Sequence, residues 1–336
     1  MKNKRKNIVT IGGGTGSFTL LSGLKEYNLN LSAVVSMADD GGSTGVLRDE
    51  LGVLPPGDAR QCLVALSESA EILRELMNYR FEKGSLAGHS FGNLFVSALE
   101  KINGNFSRGI FEAGKILKIK GEVIPVSEGN MRLFIRLNNG KILKGENELD
   151  HNGEIKKEGI KNVFLKPRVS ICEKAARAIK KADLIVIGPG DLWGSILPNL
   201  LVDGVKEAIG KSKGKVVFIA NLTNKKGQTS GFGACDYARI VNCHLGGGGI
   251  DYLVFNTQKP PRRLLEKYEK KEGGDVFVGL GEKQGNYKVV KARLLNLKVP
   301  RKIKGDTLAA TRALIRHDSR KLAKAIMELT GQNPKL

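Results

Sequence analysis

Two glycine-rich turns in the first fifty residues carry the residue types that could hold a phosphorylated ligand. Gly12, Gly13, Gly14, Thr15, Gly16 and Ser17 follow directly on the β-branched run Asn7 to Ile11, and Leu20, Leu21 and Leu24 then share one helical face. Such a strand-to-helix turn leaves backbone N–H groups pointing outward at a helix N-terminus, where the dipole adds partial positive charge and phosphate binds. The spacing reads G-x-G-x-x-S, without the third glycine of the dinucleotide fingerprint, and G-x-x-x-x-G-K-[ST] is absent, so phosphate is indicated more than NAD. Asp39, Asp40, Gly41, Gly42 and Ser43 end a second apolar run, Leu31 to Met37, where nucleotide-binding sheets set an acid against ribose hydroxyls. The two aspartates could hold Mg²⁺ beside a diphosphate, or make a plain turn.

Three further groups carry weaker signals. Asp58 follows Pro55-Pro-Gly and reads as a helix N-cap, with Gln61 reaching back in a capping box, an arrangement worth about 1 kcal/mol. Gly88-His-Ser-Phe-Gly92 matches the nucleophile elbow G-x-S-x-G, and Asp236 and His244 follow in the required order. An elbow needs a buried strand before its serine, yet Tyr79 to Ala87 contains Arg80, Glu82 and Lys83, so a serine hydrolase is set aside. Gly188 and Gly190 flank a proline after one strand-like run, and Asn221 and Thr223 follow another, at the carboxyl ends where α/β proteins place ligands.

The elements that must position these groups alternate strand and helix, which predicts an α/β, Rossmann-like, three-layer parallel sheet with right-handed crossovers. Residues 1–336 read as a single domain. Between 114 and 165 the texture changes to short runs, Ile116 to Ile119, Met131 to Leu137 and Lys141 to Leu143, separated by turns such as Asn-Asn-Gly, which predicts a small hairpin-rich β insertion. The alternation returns with a helix over Ser170 to Lys181 and strands at Leu184 to Ile187, Val216 to Ala220 and Asp251 to Phe255. Gly305 to Leu329 reads as amphipathic helix, within a C-terminal helical region over 305–336.

Composition narrows the partners. The 55 Lys and Arg against 34 Asp and Glu give a formal charge of +21, which favours anions. Aromatic residues, at 6%, are not interleaved with the basic stretches as base-stacking platforms, so a solvated basic surface is expected in preference to nucleic-acid binding. Cys62, Cys172, Cys235 and Cys243 form no C-x-x-C pair and read as reduced thiols without zinc. The longest apolar runs are strand-length, far below the roughly 20 residues of a membrane helix, and no signal peptide is recognisable; a cytoplasmic protein without a membrane partner is expected.

I-G-G-G-T-G at 11–16, A-D-D-G-G-S at 38–43, L-R-D-E-L at 47–51, P-P-G-D-A-R at 55–60 and G-H-S-F-G-N-L at 88–94 together resemble the YvcK (GlmR) family. The likeness continues through Gly188-Pro-Gly190, Ser195 to Leu201 and Ile315 to Asp318, and the wider superfamily resembled is that of the 2-phospho-lactate transferase CofD. The resemblance implies UDP-N-acetylglucosamine as ligand and a regulatory role in cell-wall precursor supply and cell shape during gluconeogenic growth, with no established reaction. It places Gly12 to Ser17 and Asp39 to Ser43 against the nucleotide, with Tyr268 and Arg316 as candidate sugar-nucleotide contacts; Asp58 and Asn93 are counted as candidate ligand-binding residues beside them. The chain departs from the family pattern at Asp191, Trp193 and Gly194, where G-P-G-S-L-Y-T-S is usual, at Gln228 within the G-E-T block, and at Tyr237.

The leading expectation is therefore a sensor of a sugar nucleotide that regulates a protein partner in cell-wall precursor synthesis, with room for a homo-oligomer. The alternatives are a CofD-like transferase using Mg²⁺ at Asp39, Asp40 or Asp58, and a non-specific nucleic-acid binder resting on charge alone.

Overall fold

The computed structural model describes residues 5–246, 248–274, 276–282, 285–297 and 315–331. In chain order the strands are β1 (Lys6–Gly12), β2 (Leu29–Val35), β3 (Glu122–Pro125), β4 (Arg132–Leu137), β5 (Ile142–Lys144), β6 (Ile160–Lys166), β7 (Leu184–Ile187), β8 (Lys215–Ile219), β9 (Tyr252–Asn256) and β10 (Lys288–Ala292). The helices are α1 (Gly14–Leu24), α2 (Gly42–Leu51), α3 (Pro56–Leu66), α4 (Glu71–Asn78), α5 (Phe91–Asn103), α6 (Phe106–Ile116) and α7 (Glu148–His151), then α8 (Gly153–Glu158), α9 (Glu173–Lys181), α10 (Leu197–Leu200), α11 (Val205–Gly210), α12 (Ala234–Leu245), α13 (Arg262–Glu272) and α14 (Ser319–Glu328).

Seven strands form one sheet in the order β10-β9-β8-β7-β1-β2-β3, with each neighbouring pair parallel. The chain lays down β1, β2 and β3 toward one edge, then returns to the other side of β1 and continues through β7 to β10. The direction of winding thus reverses between β1 and β7, and in open α/β sheets ligands bind at that reversal, beyond the carboxyl ends of the strands. All four residues of β7 are buried, as are Val9 to Gly12 of β1, in keeping with a sheet covered on both faces.

β4, β5 and β6 make a separate antiparallel sheet in the order β5-β4-β6. Leu133, Ile135, Leu137, Leu143, Val163 and Leu165 alternate inward from it, and this inward face joins the main core. Two expected elements change. Glu122–Pro125 belongs to the main sheet, paired with β2, and Ile116 to Ile119 is the end of α6 and its turn. Phe106, Ile110, Ala113 and Leu117 are buried at helical spacing, so the helix period governs this run up to the α6 C-cap at Leu117. Of the C-terminal helical region, α14 is described, while 305–314 and 332–336 lie outside the described residues.

Asp318 caps α14 by accepting the N–H groups of Arg320 and Lys321, and α14 packs on α1. The contact is close: a Cβ at Gly23 would stand 2.1 Å from the Ser319 carbonyl oxygen and 2.8 Å from Ala323 Cβ. Among the described residues no helix is long and apolar enough to cross a membrane. Gly23→Ala is expected to push α14 off α1 and to cost about 1–3 kcal/mol, read as a lowered urea midpoint; an unchanged midpoint would contradict this packing.

Candidate functional site

Both glycine turns after the reversal strands come together. β1 ends at Gly12, Gly13 is extended, and Gly14 starts α1 with φ +62°, a left-handed conformation that favours glycine. A Cβ at Gly16 would lie 1.9 Å from the Pro189 carbonyl oxygen, and one at Gly12 would lie 3.8 Å from Gly188 Cα. Gly190 in turn lies against the Gly13 carbonyl. Asn199, fully buried, ties the two turns by donating from Nδ2 to the carbonyls of Gly12 (3.3 Å) and Ser195 (2.7 Å). Its Oδ1 is buried with no partner among the described residues, as is Asn221 Oδ1 after β8.

Asp58 does not cap its own helix. α3 begins at Pro56, whose fixed φ and missing N–H suit the first helical position, with Pro55 as its N-cap, and the Asp58 carboxylate reaches across to accept the Gly14 N–H at 2.7 Å. It approaches so closely that a Cβ at Gly13 would stand 1.9 Å from Asp58 Oδ2. An acid thus occupies part of the anion-binding turn. Burial, with the charge of Asp39 beside it, pushes the Asp58 pKa up to about 7.

Asp39 accepts the Gly41 N–H at 2.9 Å, and its second oxygen faces Gly57 and Thr44. Burial raises its pKa also. Asp40 turns the other way, accepting the Asn147 N–H at 2.9 Å and facing Arg132 at 3.7 Å. The two carboxylates diverge, so a magnesium ion shared by Asp39 and Asp40 alone is not preformed. Among the described residues no group of three or more His, Cys, Asp or Glu is arranged to hold a metal ion.

Glu146 arrives from the loop after β5. A Cβ at Gly194 would stand 2.7 Å from its Oε1, and one at Gly41 would stand 3.8 Å from its Oε2. Burial first, then the charges of Asp39, Asp191, Asp58 and Asp150, push its pKa well above the ordinary carboxylate range. Nothing in the sequence around Glu146 marks it, because it reaches the site from the small sheet rather than from the parallel one.

At the α2 N-terminus, the Ser43 hydroxyl meets His89 Nδ1 at 3.1 Å and accepts from Asn93 Nδ2 at 3.2 Å, while Asn93 Oδ1 accepts from Arg60 Nε at 2.9 Å. Asn93 therefore braces α2, α3 and α5 together. Ser90, the serine of the G-x-S-x-G string, is buried and caps α5 by accepting the Asn93 N–H. His244 is bonded to the Ile240 carbonyl and Asp236 to the Gly233 N–H, so no triad assembles. Thr223 bridges to Phe277, and Tyr268 packs with Leu222, Leu295 and Ile315 while its hydroxyl accepts the Ile315 N–H at 3.3 Å. Leu222 lies between Asn221 and Thr223, which brings Tyr268 to the carboxyl end of β8; Arg316 follows Ile315 in the chain, and its carbonyl accepts the Asn296 N–H at 2.9 Å.

Asp191, after Gly190, accepts the N–H groups of Trp193 (3.1 Å) and Gly194 (2.8 Å) and so caps a π-helical turn over Leu192–Ile196. Burial opposes its charge, but Lys225 Nζ at 2.9 Å and the two N–H groups prevail and hold its pKa below the ordinary value. Lys225, unmarked in the sequence, also pairs with Asp150 at 2.7 Å.

The 2-phospho-L-lactate transferase CofD family matches residues 8–295. The chain belongs to this family. Among curated relatives it is 42% identical over 277 residues to the gluconeogenesis factor of Halalkalibacterium halodurans, covering 82% of this chain and 85% of that one. It is 35% identical over 328 residues to the gluconeogenesis factor of Bacillus subtilis, covering 97% and 98%. A crystal structure of a UPF0052-family protein from Bacillus halodurans superposes with a TM-score of 0.86 at 37% identity, covering 96% of this chain and 99% of that one. The CofD-like fold and the gluconeogenesis-factor relationship follow, and the reversal-point crevice lies inside the matched region.

Because the folded state holds the Asp58 proton more tightly than the unfolded chain does, stability is expected to fall as pH rises from about 4 to 7, by on the order of 4 kcal/mol at most. Asp58→Asn, which can still accept the Gly14 N–H, should flatten that slope and stabilise the protein at pH 8; melting curves at pH 5, 6.5 and 8 measure it, and parallel slopes would contradict the assignment.

Proposed function

We propose that the crevice between β1 and β7 binds a sugar nucleotide, UDP-N-acetylglucosamine first among them, and that this cytoplasmic protein acts as a sensor that regulates a protein partner in cell-wall precursor supply and cell shape. The observation that carries the reading is the convergence of two glycine turns and the N-termini of α1 and α2 at the reversal point, an arrangement whose backbone N–H groups suit an anion. The names of the relatives place them in gluconeogenesis, which fits control of a sugar-derived precursor. Ser90 is used as a helix cap, so the sequence's strongest nucleophile motif offers no turnover.

Asp39, Asp58 and Glu146 set the electrostatic terms for that ligand. A diphosphate cannot approach three ionised carboxylates in a buried crevice, so it must come with protons on them or with a cation. Micromolar affinity requires about 8 kcal/mol, within reach of a few charge-assisted hydrogen bonds at roughly 1.5–3 kcal/mol each once one of these conditions is met. A second reading, a CofD-like transferase, is favoured by the same carboxylates. Mg²⁺ is commonly held by one or two carboxylates plus ligand phosphate, and Asp39 and Asp58 would be those carboxylates; the ion would neutralise phosphate charge.

Calorimetry with UDP-N-acetylglucosamine, UDP, GDP and NAD, at pH 6 and 8 and with or without Mg²⁺, separates the two. The sensor reading predicts selective uridine-sugar binding, tighter at pH 6 than at pH 8 without Mg²⁺, weakened about tenfold or more by Arg316→Ala, with the ligand intact afterwards. GDP preference with Mg²⁺-dependent product favours the transferase, and binding of none of the four overturns both.

A further inference from the structure

One loop pins the small-sheet insertion to the crevice. Residues 225–229, after β8, touch the insertion three times. Lys225 Nζ pairs with Asp150 Oδ1 at 2.7 Å, Gln228 Nε2 donates to the Leu149 carbonyl at 2.6 Å, and a Cβ at Gly227 would stand 2.0 Å from the Ile155 carbonyl oxygen. The same loop touches the crevice twice. Lys225 Nζ lies 2.9 Å from Asp191 Oδ2, and the Trp193 indole N–H donates to the Gln228 carbonyl at 3.0 Å. Between these anchors the insertion delivers Glu146 against Gly194 and Gly41.

The charges around the crevice single out Lys225. Asp39, Asp58, Glu146 and Asp191 are acidic; Arg48 is buried and committed to the Asp39 and Met131 carbonyls and Asn130, Arg60 is committed to Asn93, Asn78 and the Met77 carbonyl, and Arg132 is held by Asp40 and Asp49. The Lys225 side chain is 39% exposed and its partner Asp150 is 58% exposed, so this ion pair lies at the solvent edge and is screened there; against partial burial, Asp191 and Asp150 together raise the Lys225 pKa, and Asp191 alone keeps a carboxylate on it when Asp150 lets go.

We propose that Lys225 is an exchangeable latch: an anionic diphosphate bound beside Gly190 and Asp191 takes the Lys225 ammonium from Asp150, and the segment 145–158 carrying Glu146, still held by Gln228 on the Leu149 carbonyl and by Asp40 on the Asn147 N–H, is loosened. The inference rests on the sugar-nucleotide reading for the ligand's identity and adds the route by which occupancy reaches the surface of the insertion. Asp150 then competes with the ligand for one cation, and the Asp191 carboxylate holds that cation over the turn. Lys225 is a ligand contact, whereas Asp150 and Gln228 are positioning residues.

The test combines amide hydrogen exchange with calorimetry on the full chain, using UDP-N-acetylglucosamine and inorganic pyrophosphate as probes. Without ligand, Asp150→Asn and Lys225→Met should each speed exchange over 145–158 several-fold while β1 and β7 stay protected, which also verifies folding. Ligand should speed the same segment in the wild type. Asp150→Asn should bind about threefold tighter, because a competitor is gone, and Lys225→Met about tenfold weaker; a purely structural ion pair predicts no tightening in Asp150→Asn. Binding with equal affinities and unchanged exchange over 145–158 overturns the latch alone. Absence of any binding to the wild type overturns the sugar-nucleotide reading, and the exchange with it.

Discussion

The contact between Gly16 and the Pro189 carbonyl holds the two halves of the sheet's ligand edge together. A side chain at Gly16 would drive the β1 and β7 turns apart, and with them the Gly12–Gly188 approach and the Asn199 bridge between Gly12 and Ser195. Packed interiors do not absorb such a displacement gradually. The glycines serve first to let two backbones approach, and only the groups left over, chiefly the amides of the α1 and α2 N-termini, are offered to a ligand.

The second constraint is electrostatic. Asp58 on the Gly14 N–H gains what a bound anion would gain there, and it is held close to its point of half-protonation at neutral pH by burial and by Asp39. Glu146 and Asp39 are pushed in the same direction. Buried acids of this kind cost stability at neutral pH, and such costs concentrate at functional sites. Asp191 runs the other way, kept ionised by Lys225, and Lys225 in turn reaches the insertion through Asp150.

Much of the architecture was legible in the sequence because parallel strands buried on both faces leave short β-branched runs between glycine breaks. β1, β2, β7, β8 and β9 were all visible in that way. The strand expected at Ile116 to Ile119 was not one, since an apolar run alone does not distinguish a strand from the last turn of an amphipathic helix. Asp58 shows the limit of local reasoning: a capping pattern was present, but a tertiary hydrogen bond to Gly14 took the carboxylate. Glu146 and Lys225 were invisible because they come from an insertion and a loop whose approach is set by long-range packing, and no spacing in the chain records it.

A groove of about 520 Å³ lined by Ser107, Ser127, Gly129, Cys172, Lys174 and Arg177 lies beside the α9 N-terminus, and it provides the natural control for the central claim that the ligand's phosphates bind at the β1–β7 reversal. The most direct measurement is the change in backbone amide resonances of the isotope-labelled protein as UDP-N-acetylglucosamine is added. The account predicts that Gly13, Gly14, Thr15 and Gly16, with Gly190 and Asp191, shift together and saturate with one dissociation constant. Saturable shifts confined to Ser127, Gly129 and Cys172 to Lys174, with Gly13 to Gly16 unmoved, would contradict it.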